Sequence, residues 1–577
     1  MKFKNLVIYF ERLESTTKRL EMIDILAALF KSLNSQDKKN IEKIIYFIQG
    51  QLLPSFKSVE FGISEKIIHR AIIEATGCRD QKIKEIFKKY GDYGQVAEEV
   101  CVEQTNSPDF FEVYENLEEL AVFAGDGAVG KKVDFLARLL NAVSATEAKY
   151  VVRIILGKLR LGVGDPTLLD SLCLAYFDDK FFRTDLERTY NLCSDLGLVA
   201  KTLFNQGKQA ILDFKVIVGN PVRVALAARL SSPEEIIEKI GECAVEAKYD
   251  GFRCQVHKKG EKVEIFSRNL ENMTHMFPEI KAGTLSQIKE KNVIFEGEAL
   301  AYDPKSGVCL PFQVTVQRKR KYDIAKMQKQ FPLRLFVFDI LYDGTDLTQQ
   351  TYLQRRKIMD RIIRKGKVLE ISPMEIVKTA DRLIDVFETA LDCGREGIVA
   401  KRLDGEYRAG GRNFNWIKLK QSYSKKLNDT VDCVIVGYFS GRGLRAAFGV
   451  GSLLACVYDK TDNHFKTIAK IGSGLSELEL KKLKNLLDKI KMDHKPELVN
   501  SVIEPDVWVE PKYVMEVQAD EITKSPVHTC GKGKGDLTGF ALRFPRTVGF
   551  IRTDKNAEDA TCVDEIINMF AIQGGKK

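Results

Sequence analysis

Lys248 stands in the stretch Glu246-Ala-Lys-Tyr-Asp-Gly-Phe-Arg253, two residues after a carboxylate and five before a guanidinium. A lysine amine can act as a nucleophile, but only when neutral, and its ordinary pKa is about 10.4. Cations gathered around it would disfavour the charged form, and Arg253, Lys418 and Lys420 are the candidates. The plain alternative is a solvated lysine ahead of an Asp-Gly turn. Lys-x-Asp-Gly arises by chance in roughly one chain in five of this length, so the stretch carries little until its surroundings are read.

The elements that must position Lys248 are strands. Ala244, then Phe252, Cys254 and Val256 alternate with polar neighbours; Lys258-Lys-Gly-Glu-Lys262 turns the chain, and Val263-Glu-Ile-Phe-Ser267 alternates again. That is the pattern of a β-hairpin with one buried face. Downstream follow Ser267-Arg-Asn269, Phe295-Glu-Gly-Glu-Ala299, Leu335-Phe-Val-Phe-Asp339, Glu396-Gly-Ile-Val-Ala-Lys401 and Arg412-Asn-Phe-Asn-Trp-Ile-Lys-Leu-Lys420.

In order and spacing this series resembles the covalent nucleotidyltransferase superfamily of DNA ligases, RNA ligases and mRNA capping enzymes. Ala541-Leu-Arg-Phe-Pro-Arg546 and Ile551-Arg-Thr-Asp-Lys555 resemble its last motif. Phe61-Gly-Ile-Ser-Glu-Lys66 and Leu159-Arg-Leu-Gly-Val-Gly-Asp165 resemble the DNA-binding domain of ATP-dependent DNA ligases of the archaeal and eukaryotic replicative type. The resemblance spans nearly the whole chain. It implies a multidomain α+β protein: an all-helical DNA-binding domain over 1–212, a nucleotidyltransferase (adenylation) domain of antiparallel sheets with helices over 213–424, and an OB-fold β-barrel over 425–577.

It also implies roles. Lys248 attacks the α-phosphate of ATP and carries AMP as a phosphoramidate. Glu246 hydrogen-bonds the adenine and Phe338 stacks on it. Arg253 and Arg268 hold the ribose and phosphate end, while Glu298 contacts the ribose or a metal. Glu396 is the second candidate ligand for Mg²⁺, or for Mn²⁺ in its place, since hard cations take oxygen donors. Arg412, Lys418 and Lys420 hold the phosphates. Arg546, Arg552, Asp554 and Lys555 orient the departing pyrophosphate as a lid, which must swing away on a linker near Gln421–Lys426 for the later steps. AMP then passes to the 5′-phosphate of a nick, and the 3′-hydroxyl displaces it, as replication, repair and recombination require. Singly, Phe338 would read as core, Glu298 and Glu396 as surface acids, and Lys418 and Lys420 as a solvated strand face. The ordered series favours the functional reading.

The remainder of the chain fits this frame. At 577 residues it needs several cores, and 44% hydrophobic with 29% charged residues is an ordinary globular composition. The net charge of +9 permits nucleic-acid binding without requiring it. Twelve cysteines occur with no Cys-x-x-Cys pair, which disfavours a zinc ribbon or a disulfide framework. With no signal peptide or membrane span in view, an intracellular, cytoplasmic and monomeric protein is expected, nucleoid-associated if archaeal, and the compact length points to an archaeal source. Residues 1 to about 210 show helical periodicity, for example Leu20, Ile23, Ala27 and Phe30 on one face. Asp165-Pro166 reads as a helix start with an aspartate cap, and Lys158–Gly164 before it as either a phosphate-contacting loop or a plain connector. Short strands follow from about 215. A further β-rich segment from Asp432 is broken by Gly441, Gly443, Gly449 and Gly451 and interrupted by a helical run over 475–490.

Gln104-Thr-Asn-Ser-Pro-Asp-Phe-Phe111 resembles a peptide that docks on replication sliding clamps through Gln104, Phe110 and Phe111. Ser107 occupies the place of that motif's aliphatic residue, and buried loop anchoring is the alternative. Among rival functions, a capping guanylyltransferase or RNA ligase lacks the helical N-terminal motifs. A NAD-dependent ligase would bring a four-cysteine zinc site. A non-catalytic DNA-binding scaffold would have lost catalytic positions that are kept here.

Overall fold

The computed structural model describes residues 1–572 except 58, 105, 311, 320–322, 421–429, 442–448 and 534. The expected linker near 421–426, Gly443 and the C-terminal tail from 573 lie outside the described residues. The chain forms two compact units, Met1–Lys418 and Leu419–Lys577.

The first unit begins with helices from Phe3–Glu14 to Lys208–Leu212 around one apolar core. The expected single face of helix Arg19–Ser32 is wider than its periodicity suggests. Ile23, Ala27 and Phe30 are buried together with Met22, Ile25, Leu26 and Leu29, whereas Leu20 at the helix start is 67% exposed. At the next predicted start, Gly164 caps the helix and Asp165 is its first residue. The Asp165 carboxylate instead accepts from Gln49, Tyr190 and Arg223, tying the helical region to the segment that leads into the sheets.

Ten strands follow: β1 (Leu226–Arg229), β2 (Cys243–Lys248), β3 (Phe252–Lys259), β4 (Lys262–Ser267), β5 (Asn292–Ala301), β6 (Leu333–Tyr342), β7 (Leu369–Ile371), β8 (Met374–Val377), β9 (Gly397–Arg402) and β10 (Arg412–Lys420). They build two five-stranded, mainly antiparallel sheets, ordered β1-β10-β9-β2-β8 and β4-β3-β5-β6-β7. The predicted hairpin is β3–β4, with Gly260 supplying the left-handed turn residue at φ 60°. The chain crosses from the first sheet to the second between Lys248 and Phe252, so Glu246 and Arg253 lie in different sheets. Facing side chains of both sheets, among them Ile294, Leu341 and Trp416, pack into one core with Tyr407 of the β9–β10 connection. The other face of the second sheet buries Val256, Ile265, Phe295 and Val337 against helices Pro278–Gln287 and Tyr352–Ile362.

In the second unit, β11 (Val431–Phe439), β12 (Ser452–Asp459), β13 (His464–Ile471), β14 (Lys491–Met492), β15 (Val499–Asn500), β16 (Val507–Val509), β17 (Val514–Gln518) and β20 (Arg546–Arg552) form one curled sheet. β11 spends its N-terminal half on β17 and its C-terminal half on β16, with a register shift on its β12 side after Ile435. Such an irregularity bends a sheet toward a barrel. β18 (Glu521–Ser525) and β19 (Gly539–Arg543) make a separate ribbon. Helix Glu477–Leu487 fills the expected helical interruption. No helix among the described residues is long and apolar enough to cross a membrane.

Candidate active site

Lys248 ends β2 opposite Gly397 of β9. The Glu396 N–H donates to the Lys248 carbonyl at 3.1 Å, and the Glu396 carboxylate pairs with the Lys248 ammonium. An anion, rather than the expected crowd of cations, is therefore the ion-pair partner of the amine. An ammonium has no lone pair, so this amine could act as a nucleophile only with that pair open and its proton lost. The crossover after Lys248 is held tightly. Tyr249 stacks on Phe336 at 4.4 Å and carries Arg395 over its ring at 5.0 Å. Gly251 passes so close to the Ala299 carbonyl that a Cβ there would collide with it.

Across the cleft, β3 and β5 present Arg253 opposite Glu298 and Gln255 opposite Glu296. Arg253 donates to Glu296 at 2.7 Å and to the Ala225 carbonyl at 2.8 Å. Its guanidinium lies 5.3 Å from the Phe338 ring and 5.5 Å from that of Trp416. Burial works against the Arg253 charge, but Glu296 and Tyr407 more than restore it and hold the group above its ordinary range. Glu296 is completely buried and also accepts from Tyr407 and Gln255. Burial pushes the Glu298 carboxyl up to about 7, against the opposing pull of Lys248 and Arg253. Phe338 is half-buried, edge-on to Trp416 at 5.9 Å.

Glu246 is buried and accepts from the Lys401 ammonium at 2.7 Å and from the Tyr352 hydroxyl. Lys401 also donates to the Phe338 carbonyl at 2.8 Å, and its ammonium lies 4.7 Å from the Trp416 ring. By strand alternation Lys418 follows Trp416 on that side of β10, and Lys420 follows Lys418. Lys248, Glu246, Arg253, Glu298, Phe338 and Glu396 thus converge on one cleft between the two sheets. Arg412, exposed at the head of β10, and Arg268, in the exposed turn after β4, are not held against them.

Five residues here escaped the sequence reading as site members: Glu296, Lys401, Tyr352, Tyr407 and Trp416. Glu296, Lys401 and Trp416 lie inside the motif stretches, and Glu296 shares the Glu298 side of its strand. Tyr352 and Tyr407 had no local signal. Among the described residues no cluster of three or more His, Cys, Asp or Glu side chains could hold a metal. The Glu298 and Glu396 pair does suit Mg²⁺, which binds through one or two carboxylates and leaves positions for substrate phosphates.

In the second unit the lid candidates are each held by polar partners of that same unit. Arg552 makes two hydrogen bonds to Asp554, at 2.8 and 2.6 Å, and keeps that carboxyl down at about 2. Asp432 receives Lys555 at 2.6 Å and Arg552 at 3.4 Å, while Arg546 binds Asp520 and Gln518 at 3.1 Å each. Of the clamp-like peptide, Phe110 is fully buried in helix Phe110–Val122 against Phe47, whereas Phe111 and Gln104 are half-buried.

Three family models match: DNA ligase N terminus over 2–173, ATP dependent DNA ligase domain over 224–420, and ATP dependent DNA ligase C terminal region over 446–555. A "Probable DNA ligase" of Dictyoglomus turgidum is 50% identical, covering 100% of this chain and 99% of that one. A "DNA ligase" of Sulfurisphaera tokodaii is 41% identical over 100% of this chain and 98% of its own. The solved structure Pmar-Lig_PreS3, 18% identical, matches 95% of this chain and 99% of that one with a TM-score of 0.53, a likeness of fold alone.

Proposed function

The chain belongs to the ATP-dependent DNA ligase family, and from that premise we propose that Lys248 is its adenylated nucleophile and that the cleft around Lys248 is its nucleotide site. The enzyme joins nicked duplex DNA at the expense of ATP, with Mg²⁺ as its metal. The observation that carries the assignment is the meeting of Lys248, Glu396, Glu298 and Arg253 around the crossover by which the chain passes from the first sheet to the second.

The reaction then runs through this chain's residues as follows. Glu246 receives the adenine edge and Phe338 its face. Arg253, Arg268 and Glu298 hold the ribose and α-phosphate, and Arg412, Lys418 and Lys420 the remaining phosphates. As triphosphate enters, Glu396 releases Lys248. The ammonium gives a proton to water, the freed amine attacks the α-phosphorus, a P–N bond forms with loss of a second N–H proton to solvent, and the bond to pyrophosphate breaks. Mg²⁺ held by Glu298 and Glu396 would neutralise phosphate charge. The nick 5′-phosphate next attacks the lysine–AMP, and finally the 3′-hydroxyl displaces AMP to leave a phosphodiester.

The 1–212 segment is proposed to grip duplex DNA through phosphates, the 213–424 segment to carry adenylation, and the 425–577 segment to supply Arg546, Arg552, Asp554 and Lys555 as a mobile lid. A crosslink joining the last two that left sealing at full rate would refute the lid. For Gln104–Phe111 the proposed role is core anchoring, because Phe110 could not leave for a clamp groove without opening the helical core. Co-elution of the intact protein with a sliding clamp, abolished by Phe111→Ala, would overturn that. A monomer in an intracellular, nucleoid-associated setting is the accompanying proposal, and sedimentation of the free protein tests the monomer.

The decisive assay incubates pyrophosphate-stripped enzyme with Mg²⁺ and α-labelled ATP, with GTP in parallel, and chases it with nicked DNA or nicked RNA. Label that attaches to the wild type and not to Lys248→Ala, moves to nicked DNA and vanishes on sealing is the expected result. Label retained by a folded Lys248→Ala protein would refute the nucleophile.

A further inference from the structure

Glu246 is a buried carboxylate, 3% exposed, held by two donors that sequence alone does not connect to it. The Tyr352 hydroxyl and the Lys401 ammonium both land on the same oxygen, Oε1. We infer that Tyr352 and Lys401 are positioning residues that lock Glu246 as a fixed acceptor and thereby make the enzyme select purines bearing a 6-amino group. The inference rests on the reading of the cleft as the nucleotide site.

Each donor is itself held. Tyr352 is the first residue of its helix, and a reciprocal cap precedes it: Thr351 Oγ1 accepts from the Gln354 N–H, and Gln354 Oε1 accepts from the Thr351 N–H. The Tyr352 hydroxyl also lies 3.7 Å from Met374 Sδ on β8, the strand beside β2. Lys401 cannot swing away from Glu246, because its ammonium bonds the Phe338 carbonyl and faces the rings of Phe338, Tyr352 and Trp416 at 5.1, 4.8 and 4.7 Å. With Oε1 taken by two donors, Oε2 is the oxygen left for a substrate. A carboxylate oxygen accepts hydrogen bonds and has none to donate.

The chemistry of the base follows. Adenine offers an exocyclic N–H to such an oxygen. Guanine offers a carbonyl in the same place, so two acceptors would face each other out of water, which is costly. A purine with hydrogen at position 6 avoids the repulsion but leaves Oε2 without its donor. A carboxylate free to rotate could turn away from either misfit. Tyr352 and Lys401 remove that escape.

The test measures kcat/KM for lysine–AMP formation, or its analogue, from three α-labelled triphosphates: ATP, purine riboside triphosphate (hydrogen at position 6) and GTP. The wild type should prefer ATP over the 6-hydrogen purine by roughly 10- to 100-fold, and over GTP by more. In Tyr352→Phe, which keeps the ring and loses the hydroxyl, the ATP preference over the 6-hydrogen purine should shrink to within about threefold, because ATP loses more than the analogue does. A merely structural role would lower both rates by one factor and leave the ratio intact, which overturns the inference. So does a wild type that uses the 6-hydrogen purine as well as ATP, a result independent of any variant's folding. Sealing of a pre-adenylated nick without nucleotide confirms that Tyr352→Phe is folded. Failure of the wild type to form lysine–AMP from ATP would instead sink the site assignment itself.

Discussion

Glu296→Gln removes the negative half of a pair that the fold has taken largely out of water. Glu296 has no exposed surface, Arg253 is 16% exposed, and the two meet at 2.7 Å. Tyr407 donates to the same carboxylate oxygen at 2.8 Å, and Gln255 to the other at 3.1 Å. The amide keeps one acceptor oxygen, so one of those neutral donors remains satisfied, but the Arg253 charge loses its counterion. Breaking a buried pair by removing one partner costs about 3–5 kcal/mol, and the retained oxygen places this case near 3. In a compact unit spanning Met1–Lys418, roughly twice the size for which 1 kcal/mol shifts Tm by about 2–4 °C, that lowers Tm by about 3–6 °C. The chain has two tryptophans, of which Trp416 packs under Arg253 and Trp508 belongs to the second unit. In a Trp508→Phe background, heating followed by fluorescence reports the Arg253 neighbourhood alone. Asp404→Asn is the control: it breaks the Arg402–Asp404 pair, whose side chains are 47% and 66% exposed, and should cost about 0.5 kcal/mol or less. A Glu296→Gln shift no larger than that of Asp404→Asn would refute the claim that this pair holds the nucleotide side of the cleft together.

Gly251→Ala drives a methyl into the Ala299 carbonyl beside the crossover. Displacing Lys248 by an ångström should slow lysine–AMP formation about 100-fold, while sealing of a pre-adenylated nick falls far less; equal losses in both assays would contradict the local account. Burial pushes the His257 ring down to about 3, where it accepts from the Gly219 N–H and faces Gln255. The unfolded chain takes up that proton below about 6.5 and the folded one does not, so this stability term is whole above pH 6.5 and drains as pH falls toward 3. His257→Gln, which keeps an acceptor and a donor, should flatten the acid limb of a pH–stability curve by about 1.4 kcal/mol per pH unit, and an unchanged slope would refute the assignment. Binding to nicked duplex DNA should weaken log-linearly with salt and vary little with base sequence; salt-independent binding in a fluorescence titration would argue against phosphate contacts.

Much of this protein was determined by its sequence alone. Local periodicity shows whether a segment buries a helical or a strand face, so the change from helices to strands after Leu212 and the β3–β4 hairpin were legible. The spacing of chemistry-bearing residues was legible too, because a nucleophile, its carboxylates and its phosphate-binding cations must recur in order whatever surrounds them. Tertiary structure decided what those residues touch. Periodicity says that a side is buried but not what buries it, so Glu246 and Arg253 read as neighbours along one strand run and lie instead in two sheets. The donors to Glu246 come from 106 and 155 residues away. Lys248 was expected among cations and sits against Glu396, since the antiparallel pairing of β2 with β9 brings the start of one strand to the end of the other. Asp165 looked like a helix cap and became the tie between the helical region and the sheets. Pairing across such separations depends on how whole sheets pack face to face, and short windows of sequence do not encode that.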